Sequence, residues 1–216
     1  MGKKKLIHLE ELKTFANVLQ PPLELKGRWS KNHFGNANPI TLELACGKGE
    51  YTVELARRFP QINYIGIDIK GSRLWRGART AIDENLTNVA YIVTLINDIG
   101  DVFEKNEVNE IWITFPDPYP KRRHAKHRLT SPYFLNLYKN ILVEGGRIHL
   151  KTDDSDLLEY TRSQINDHTG EIIRYTEDVH AEVSEEDYLS IQTTYEKKYL
   201  KAGKKIKYIC FRFKSV

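Results

Sequence analysis

Apolar and polar positions alternate between two periods along the chain from about residue 40 onward. Short runs rich in β-branched and aromatic residues are typical of buried strands, and the longer segments between them carry apolar residues at helical spacing. These runs predict seven strands, at 40–45, 62–68, 89–96, 110–115, 146–151, 171–176 and 206–213. Strands that alternate with helices favour an α/β fold with a mainly parallel sheet.

Three of the intervening segments predict helices, at 50–59, 72–84 and 130–142. The third opens with Thr-Ser-Pro and ends just before a Gly-Gly pair, which are ordinary signals for the start and the end of a helix. Prolines, glycine and asparagine interrupt the first 38 residues. The pattern therefore predicts an N-terminal extension, residues 1–38, packed on a single domain of residues 39–216.

Composition narrows the class of protein only slightly. The 216 residues are enough for one α/β domain with a full core, and the net charge of +4 is mild. The charge is unevenly placed, since three basic clusters stand against one acidic stretch. The basic clusters are Lys3 to Lys5, residues 121–128 and the six lysines from Lys197 to Lys207, and the acidic stretch runs from Glu177 to Asp187.

Two cysteines, Cys46 and Cys210, lie far apart and lack the spacing of metal ligands. Neither a disulfide framework nor a zinc site is therefore expected, which fits a reducing cytoplasm. The N-terminus has basic residues but no apolar signal-peptide core, and no apolar run approaches the roughly 18 residues of a membrane span. We expect a cytoplasmic protein that is not exported.

The most informative segment is IWITFPDPYPKRRHAKHR, residues 111–128. Its apolar half predicts a buried strand, and the prolines that follow cannot continue a central strand, so Asp117 should lie at the carboxyl end of the strand. Open α/β sheets bind their ligands at that end. Residues 121–128 then hold five Lys or Arg and two His without an acidic residue, which suits contact with phosphates. The pattern indicates an enzyme that acts on nucleic acid.

A second motif, Glu43-Leu-Ala-Cys-Gly47-Lys-Gly49, joins the first predicted strand to the first predicted helix. Glycines there let the backbone approach a ligand, and the helix N-terminus offers free N–H groups. The spacing lacks the third glycine of an NAD fingerprint, and the chain has no phosphate-binding G-x-x-x-x-G-K-[ST]. S-adenosylmethionine (SAM), which has no phosphates, fits this loop better.

Three further positions extend the predicted cofactor site. Asp68 ends the second predicted strand, where a carboxylate can accept both ribose hydroxyls of a nucleoside. Glu43 is near enough in the loop to sense the positive charge of the cofactor. Asn97 or Asp98, which follow the third predicted strand, could bind the adenine edge, and the sequence does not decide between them.

Five segments of the chain, in this order, carry a resemblance to a known family: LELACGKGEYTVELARRFP, GIDIKGSRL, FPDPYPKRRHAKHRLT, IHLKTD and TTYEKKYLKAG. From about residue 25 to the C-terminus, the chain resembles the bacterial tRNA (guanine-N7-)-methyltransferases. The resemblance implies a SAM-dependent methyltransferase domain with a Rossmann-like fold, in which a mostly parallel seven-stranded sheet ends in an antiparallel strand. It implies methyl transfer from SAM to N7 of a guanine in the variable loop of tRNA. One departure is Ala45, which stands where the family usually has a glycine.

The resemblance also implies roles for individual residues. The cofactor site would comprise Glu43, Gly47, Gly49, Asp68, Asn97 or Asp98, and Asp117, with Asp117 also catalytic. Substrate contacts would come from Lys121, Asp153, Thr193, Thr194, Tyr195 and Glu196. RNA contacts would come from Arg122, Arg123, His124, Lys126, His127 and Arg128. No metal is implied.

Alternative interpretations remain open from the residues themselves. Asp117 could simply turn the chain after a strand, the basic segment could be a solvated loop, and Thr193 to Glu196 also fit a helix-capping T-x-x-E. Cys46 is better explained as a small loop residue than as a nucleophile. Two other activities compete with guanine methylation: an amino-methyltransferase, which commonly uses [DN]-P-P-[YF], and a silent RNA-binding module.

Overall fold

The computed structural model describes residues 3–167, 170–185 and 187–214. The chain forms two compact units, Met1–Glu104 and Lys105–Val216. This division does not test the predicted boundary between residues 38 and 39, which stays a prediction. The outer ends of the two predicted ranges, at residues 1–2 and 215–216, lie outside the described residues.

The first unit contains four strands, all paired in parallel in the order β1-β4-β3-β2. The central strands are buried along their whole length, which is typical of parallel strands covered on both faces. The strands are β1 Val18–Leu19, β2 Ile40–Leu44, β3 Asn63–Asp68 and β4 Val89–Val93. The α-helices are α1 Lys3–Leu12, α2 Glu50–Arg58, α3 Gly71–Asp83 and α4 Ile99–Val102.

The N-terminal residues are integrated into this first unit. Strand β1 pairs with β4, so that Val18 lies opposite Tyr91. Trp29 is fully buried and donates its indole N–H to the carbonyl of Val102 over 3.0 Å. Trp75, on α3, stacks on His8 of α1 with 3.9 Å between the ring centroids. The sequence could not place these two tryptophans because their partners are far away along the chain.

The second unit contains the other four strands, in the order β5-β6-β8-β7. The pair β5 and β6 is parallel, whereas β8 runs antiparallel to both β6 and β7. The strands are β5 Val108–Thr114, β6 Leu142–Thr152, β7 Gly170–Thr176 and β8 Lys207–Phe213. The α-helices are α5 Pro132–Ile141, α6 Ser155–Asp167, α7 Val179–Glu182 and α8 Thr194–Lys201.

All seven predicted strands are present, and the antiparallel direction of the last strand is confirmed. The two-residue strand β1 was missed because it is too short to show a period. Helix α5 begins with Pro132 at its first position after Ser131, as the Thr-Ser-Pro signal predicts. None of the helices in the described ranges has both the length and the apolar composition that crossing a membrane requires.

Candidate active site

The carboxylate of Glu43 ties strand β2 to the start of helix α2. The side chain is buried, and its Oε2 accepts hydrogen bonds from the backbone N–H of Thr52, over 2.9 Å, and from the Thr52 hydroxyl. A carboxylate beside the first turn also interacts favourably with the helix dipole. Glu43 therefore holds the loop from residue 45 to residue 49 between two fixed ends, in addition to its predicted proximity to a cofactor.

Three residues of this loop have left-handed backbone conformations. Gly47 and Gly49 have φ of 59° and 66°, and Ala45 has φ of 55°. Glycine adopts this region freely, whereas an L-residue with a Cβ is strained there by roughly 1–2 kcal/mol. The replacement of the usual glycine by Ala45 therefore leaves strain in the loop.

The two glycines have different roles. The backbone at Gly47 has open space where a side chain would begin. An added Cβ would lie 2.5 Å from the ring of Tyr91 at Gly49, 2.7 Å from the same ring at Gly66, and 2.5 Å from the Tyr91 hydroxyl oxygen at Gly77. The Tyr91 hydroxyl donates to the carbonyl of Gly49 over 3.2 Å. The missing side chain of Gly49 therefore makes room for Tyr91, and contact between the Gly49 backbone and a cofactor stays a prediction.

Asp68, at the end of β3, is fixed by backbone donors. Its Oδ2 accepts from the N–H of Gly47 over 2.9 Å, and its Oδ1 accepts from the N–H of Lys70 over 2.8 Å. A carboxylate offers about four acceptor positions, so capacity remains for the two hydroxyls of a ribose. The structure thus brings Asp68 and Gly47 together, and their binding of a cofactor stays a prediction.

The neighbouring strand β4 ends at the same edge, since Asp68 lies opposite Val93 in the parallel pair. Asn97 and Asp98 follow in a short 3-10 turn, Ile96–Asp98, and both side chains are exposed. Their exposure does not favour one over the other as an adenine ligand.

Two apolar side chains beside these positions were missed by the sequence. Ile69 directly follows Asp68 and is 58% exposed, and Leu95 lies two residues beyond β4 and is 47% exposed. Apolar side chains are expected in the core, so no sequence pattern distinguishes these two. Their position beside Asp68 and Asn97 gives the edge an apolar surface suited to the face of a planar base.

Cys46 lies inside the same loop and is buried. Burial, together with the nearby carboxylates of Glu43 and Asp68, raises the pKa of the Cys46 thiol well above its ordinary value. A reactive cysteine needs its thiolate form. Cys46 is therefore a packing residue of the loop.

In the second unit, Asp117 follows β5 in a strained loop. Phe115 and Tyr119, on either side of it, have φ of 49° and 45°, and the Asp117 side chain is exposed. The N–H of Phe115 donates to the carbonyl of Lys151, on the parallel neighbour β6, over 2.8 Å. Strain of this kind collects at functional sites, where the surrounding structure holds an otherwise unfavourable conformation. The loop presents Asp117 to solvent.

Arg128 is the buried member of the basic segment, and its predicted RNA contact stays a prediction. The sequence placed it among the RNA contacts, but it is buried, and its guanidinium donates to the carbonyls of Pro118 and Tyr119 over 3.0 and 3.1 Å. The guanidinium also lies 4.3 Å from the ring centroid of Tyr160. Its planar fork suits two adjacent acceptors. Arg128 therefore braces the loop that carries Asp117.

The rest of the basic segment faces solvent. Residues Arg122–His127 form a 3-10 turn, in which His124 is half-buried. Four basic side chains in the turn and just before it are exposed and form no ion pair with any described acidic residue: Lys121, Arg122, Arg123 and Lys126. The rings of Tyr119 and His127 lie 5.6 Å apart, which packs the turn on the preceding loop. Within the described ranges, no group of three or more His, Cys, Asp or Glu could hold a metal ion.

The predicted substrate residues after β6 and at the start of α8 include side chains that solvent reaches and side chains that are buried. Thr194 and Tyr195 are exposed, and Asp153 forms an ion pair with Lys204. Thr193 caps helix α8 by accepting the N–H of Glu196 over 3.2 Å, which realises one half of the capping box.

Glu196 itself is fully buried, and its carboxylate lies 2.8 Å from Nζ of Lys151 and 2.8 Å from Nε2 of His180. The structure thus places the Glu196 carboxylate inside the protein, and contact between Glu196 and the substrate stays a prediction.

Lys151 is a third residue that sequence reasoning missed. Its fully buried ammonium donates to the carbonyls of Leu189 and Ile191, each over 2.8 Å, as well as to Glu196. Burial lowers the pKa of Lys151, against the effect of Glu196. The backbone of Lys151 bonds the start of the Asp117 loop, and its side chain bonds the segment that leads to Thr193. Lys151 therefore fixes both candidate substrate elements.

Comparison with known proteins defines the class. Residues 37–209 match a family model described as "Putative methyltransferase". The fold is similar to that of an antibiotic-related methyltransferase, with TM-score 0.65, 17% identity and coverage of 88% of this chain and 94% of the other. It is also similar to the 16S rRNA methyltransferase KamB, with TM-score 0.64, 12% identity and coverage of 85% and 91%. The chain is a methyltransferase with a Rossmann-like α/β fold.

Curated relatives identify the family. The chain is 51% identical to the tRNA (guanine-N(7)-)-methyltransferase of Christiangramia forsetii, with 99% of each chain covered. It is 42% identical to that of Cytophaga hutchinsonii, again with 99% of each covered, and 34% identical to that of Brevibacillus brevis, with 90% of each covered. The chain belongs to the tRNA (guanine-N(7)-)-methyltransferase family, which confirms the resemblance found in the sequence.

Proposed function

We propose that this protein transfers a methyl group from SAM to N7 of a guanine in the variable loop of tRNA. The observation that carries the proposal is the 51% identity to a tRNA (guanine-N(7)-)-methyltransferase over 99% of both chains. The strained, exposed loop around Asp117 and the basic turn that follows it support the same conclusion. We also infer a cytoplasmic location, where a tRNA substrate is available.

The edge formed by β3 and β4 suits SAM. Asp68 retains acceptor capacity for ribose hydroxyls, Gly47 leaves open space, and Ile69 and Leu95 offer apolar surface to an adenine ring. Asn97 or Asp98 would bind the polar edge of the adenine. When bound, SAM supplies a methyl group activated by its sulfonium charge. The carboxylate of Glu43 contributes negative charge close to the loop of residues 45–49.

Guanine N7 needs little chemical activation. It carries an exposed lone pair on the major-groove edge of the base and can attack without losing a proton. A strong general base is therefore unnecessary, and the main requirement is to hold N7 in line with the methyl group. Positioning of this kind can supply roughly 7–11 kcal/mol of a barrier.

Asp117 is the residue we assign to positioning the guanine. Its carboxylate can accept hydrogen bonds from guanine N1–H and the exocyclic amino group, and its negative charge favours the positive charge that the base gains on methylation. The rigid loop would limit the motion of this carboxylate, since Arg128 and Lys151 hold both sides of it. Lys121, Asp153, Thr194 and Tyr195 would contact the nucleotides around the target.

The substitution Asp117→Asn tests this role. It retains the shape of the side chain but removes the charge and replaces an acceptor with a donor, so we expect kcat to fall by about a hundredfold or more, in the range of a lost electrostatic contact in a transition state. The Kd for SAM should change little. Glu144→Gln, an exposed change at the opposite end of β6, is the control. Equal losses in kcat and SAM affinity would contradict the assignment.

A further inference from the structure

Helix α8 carries a lysine stripe on the side that faces solvent. Its sequence is TYEKKYLK, and at about 100° per residue the exposed residues Thr194, Lys197, Lys198 and Lys201 fall within roughly 100° of the helix surface. Glu196 points to the opposite side and is fully buried. The name "lysine stripe" refers below to Lys197, Lys198 and Lys201.

The charge of the lysine stripe is not neutralised within the described part of the chain. Glu196 is the one acidic residue in the sequence of α8, and the buried ammonium of Lys151 compensates it. No described acidic residue forms an ion pair with the three lysines. By contrast, Lys204 and Lys205 just beyond the helix pair with Asp153 and Asp178. The helix therefore presents three positive charges to an outside partner.

The helix that bears these charges is firmly anchored on its inner side. Glu196 contacts both Lys151 and His180, and Thr193 caps the first turn. Lysines near the C-terminus of a helix also stabilise it through the helix dipole, which accounts for Lys198 and Lys201 in the last turn but not for Lys197. A local structural role therefore explains only part of the stripe.

We propose that the lysine stripe of α8 is a second tRNA-contact surface, which binds phosphates separately from the basic turn Arg122–His127. This inference rests on the proposed function. The stripe begins beside Thr194 and Tyr195, and Tyr195 is 51% exposed, so a nucleotide base can stack on it while the lysines bind the backbone. A membrane surface is a poorer partner, because Tyr195 is the one exposed large apolar side chain on α8 and one such side chain gives little surface for insertion.

The test is the salt dependence of tRNA binding by the variant Lys197→Gln/Lys198→Gln/Lys201→Gln. Each phosphate contact contributes about 0.7–0.9 to the log-log slope, so the slope should decrease by about 2. The affinity at low salt should fall by about tenfold or more, and KM for tRNA should rise with it. The Kd for SAM should remain unchanged.

A matched control removes the same total charge elsewhere. Arg79, Lys139 and Arg162 are exposed, and their replacement by Gln also lowers the net charge by three. Arg79 lies near the end of α3, which leads to the start of β4, and Lys139 lies near the end of α5, which leads to the start of β6. Both residues are therefore away from the carboxyl ends of the strands. The control should keep the wild-type slope.

An unchanged slope in the α8 variant, or an equal decrease in the control, would overturn the proposal. Because binding is measured directly, this result is independent of turnover. A wild-type protein that binds tRNA but produces no 7-methylguanosine would refute the proposed function instead.

Discussion

The buried pair of Lys151 and Glu196 gives the sharpest test of how the second unit is built. We consider Lys151→Met, which keeps an unbranched side chain of similar length but removes the charge and all donors. In the native protein both side chains of the pair are fully buried, and Lys151 serves three acceptors at 2.8–2.9 Å. The substitution leaves the Glu196 carboxylate with His180 and deprives the carbonyls of Leu189 and Ile191 of this donor.

The expected loss is large. Removal of one partner from a buried ion pair destabilises a protein by about 3–5 kcal/mol, and each buried carbonyl that stays unsatisfied adds about 1–3 kcal/mol. Relaxation of the loop and entry of water reduce this sum, so we expect a decrease of about 4 kcal/mol in the free energy of unfolding. That is a substantial share of the roughly 5–15 kcal/mol that stabilises a typical protein.

Urea unfolding followed by circular dichroism measures this quantity. The double variant Lys151→Met/Glu196→Gln removes the stranded charge as well, so it should recover about half of the loss, because a neutral pair no longer carries an uncompensated buried carboxylate. A decrease below about 1 kcal/mol in the single variant, or no recovery in the double variant, would refute the reasoning that the pair is buried and coupled.

Two further predictions concern stability, one in each unit. Ala45→Gly should raise the free energy of unfolding by about 0.5–1 kcal/mol, because relief of left-handed strain exceeds the entropy that glycine loses on folding; a lower thermal midpoint would contradict this. His149 is buried against Trp112, and burial lowers its pKa below the ordinary 6.5 despite Glu110. As the pH falls, His149 therefore binds a proton in the unfolded chain at a higher pH than in the folded protein. The free energy of unfolding should decrease as the pH drops below about 6.5. The variant His149→Gln should reduce the change of the urea unfolding midpoint between pH 5.5 and 7.5. An unchanged pH dependence of the midpoint would exclude His149 as the cause of the loss of stability.

Much of the fold could be predicted from the sequence because its signals are local. The strands are continuous apolar runs, and a strand end followed by prolines places Asp117 without any knowledge of the partners. Asp68 could be placed in the same way, since the residue that ends a buried strand is fixed by the pattern of burial itself.

The parts of the site that could not be predicted depend on contacts between distant residues. Arg128 and Glu196 carry charges, and charge in a sequence indicates exposure, so their burial follows only from partners at 118–119 and 151. A glycine needed for a ligand and one needed for packing look the same, which is why the contact of Gly49 with Tyr91 was missed. The strain at Ala45 could not be decided from the sequence, because the backbone angle φ depends on how the loop closes.

The central claim is that this chain methylates guanine N7 in tRNA. The most direct measurement is transfer of labelled methyl from SAM to unmodified tRNA, followed by digestion and nucleoside analysis. We predict 7-methylguanosine in the variable loop, and no label in a tRNA whose variable-loop guanine is replaced by adenine. Label on another base or at another position, with the replacement having no effect, would contradict the account.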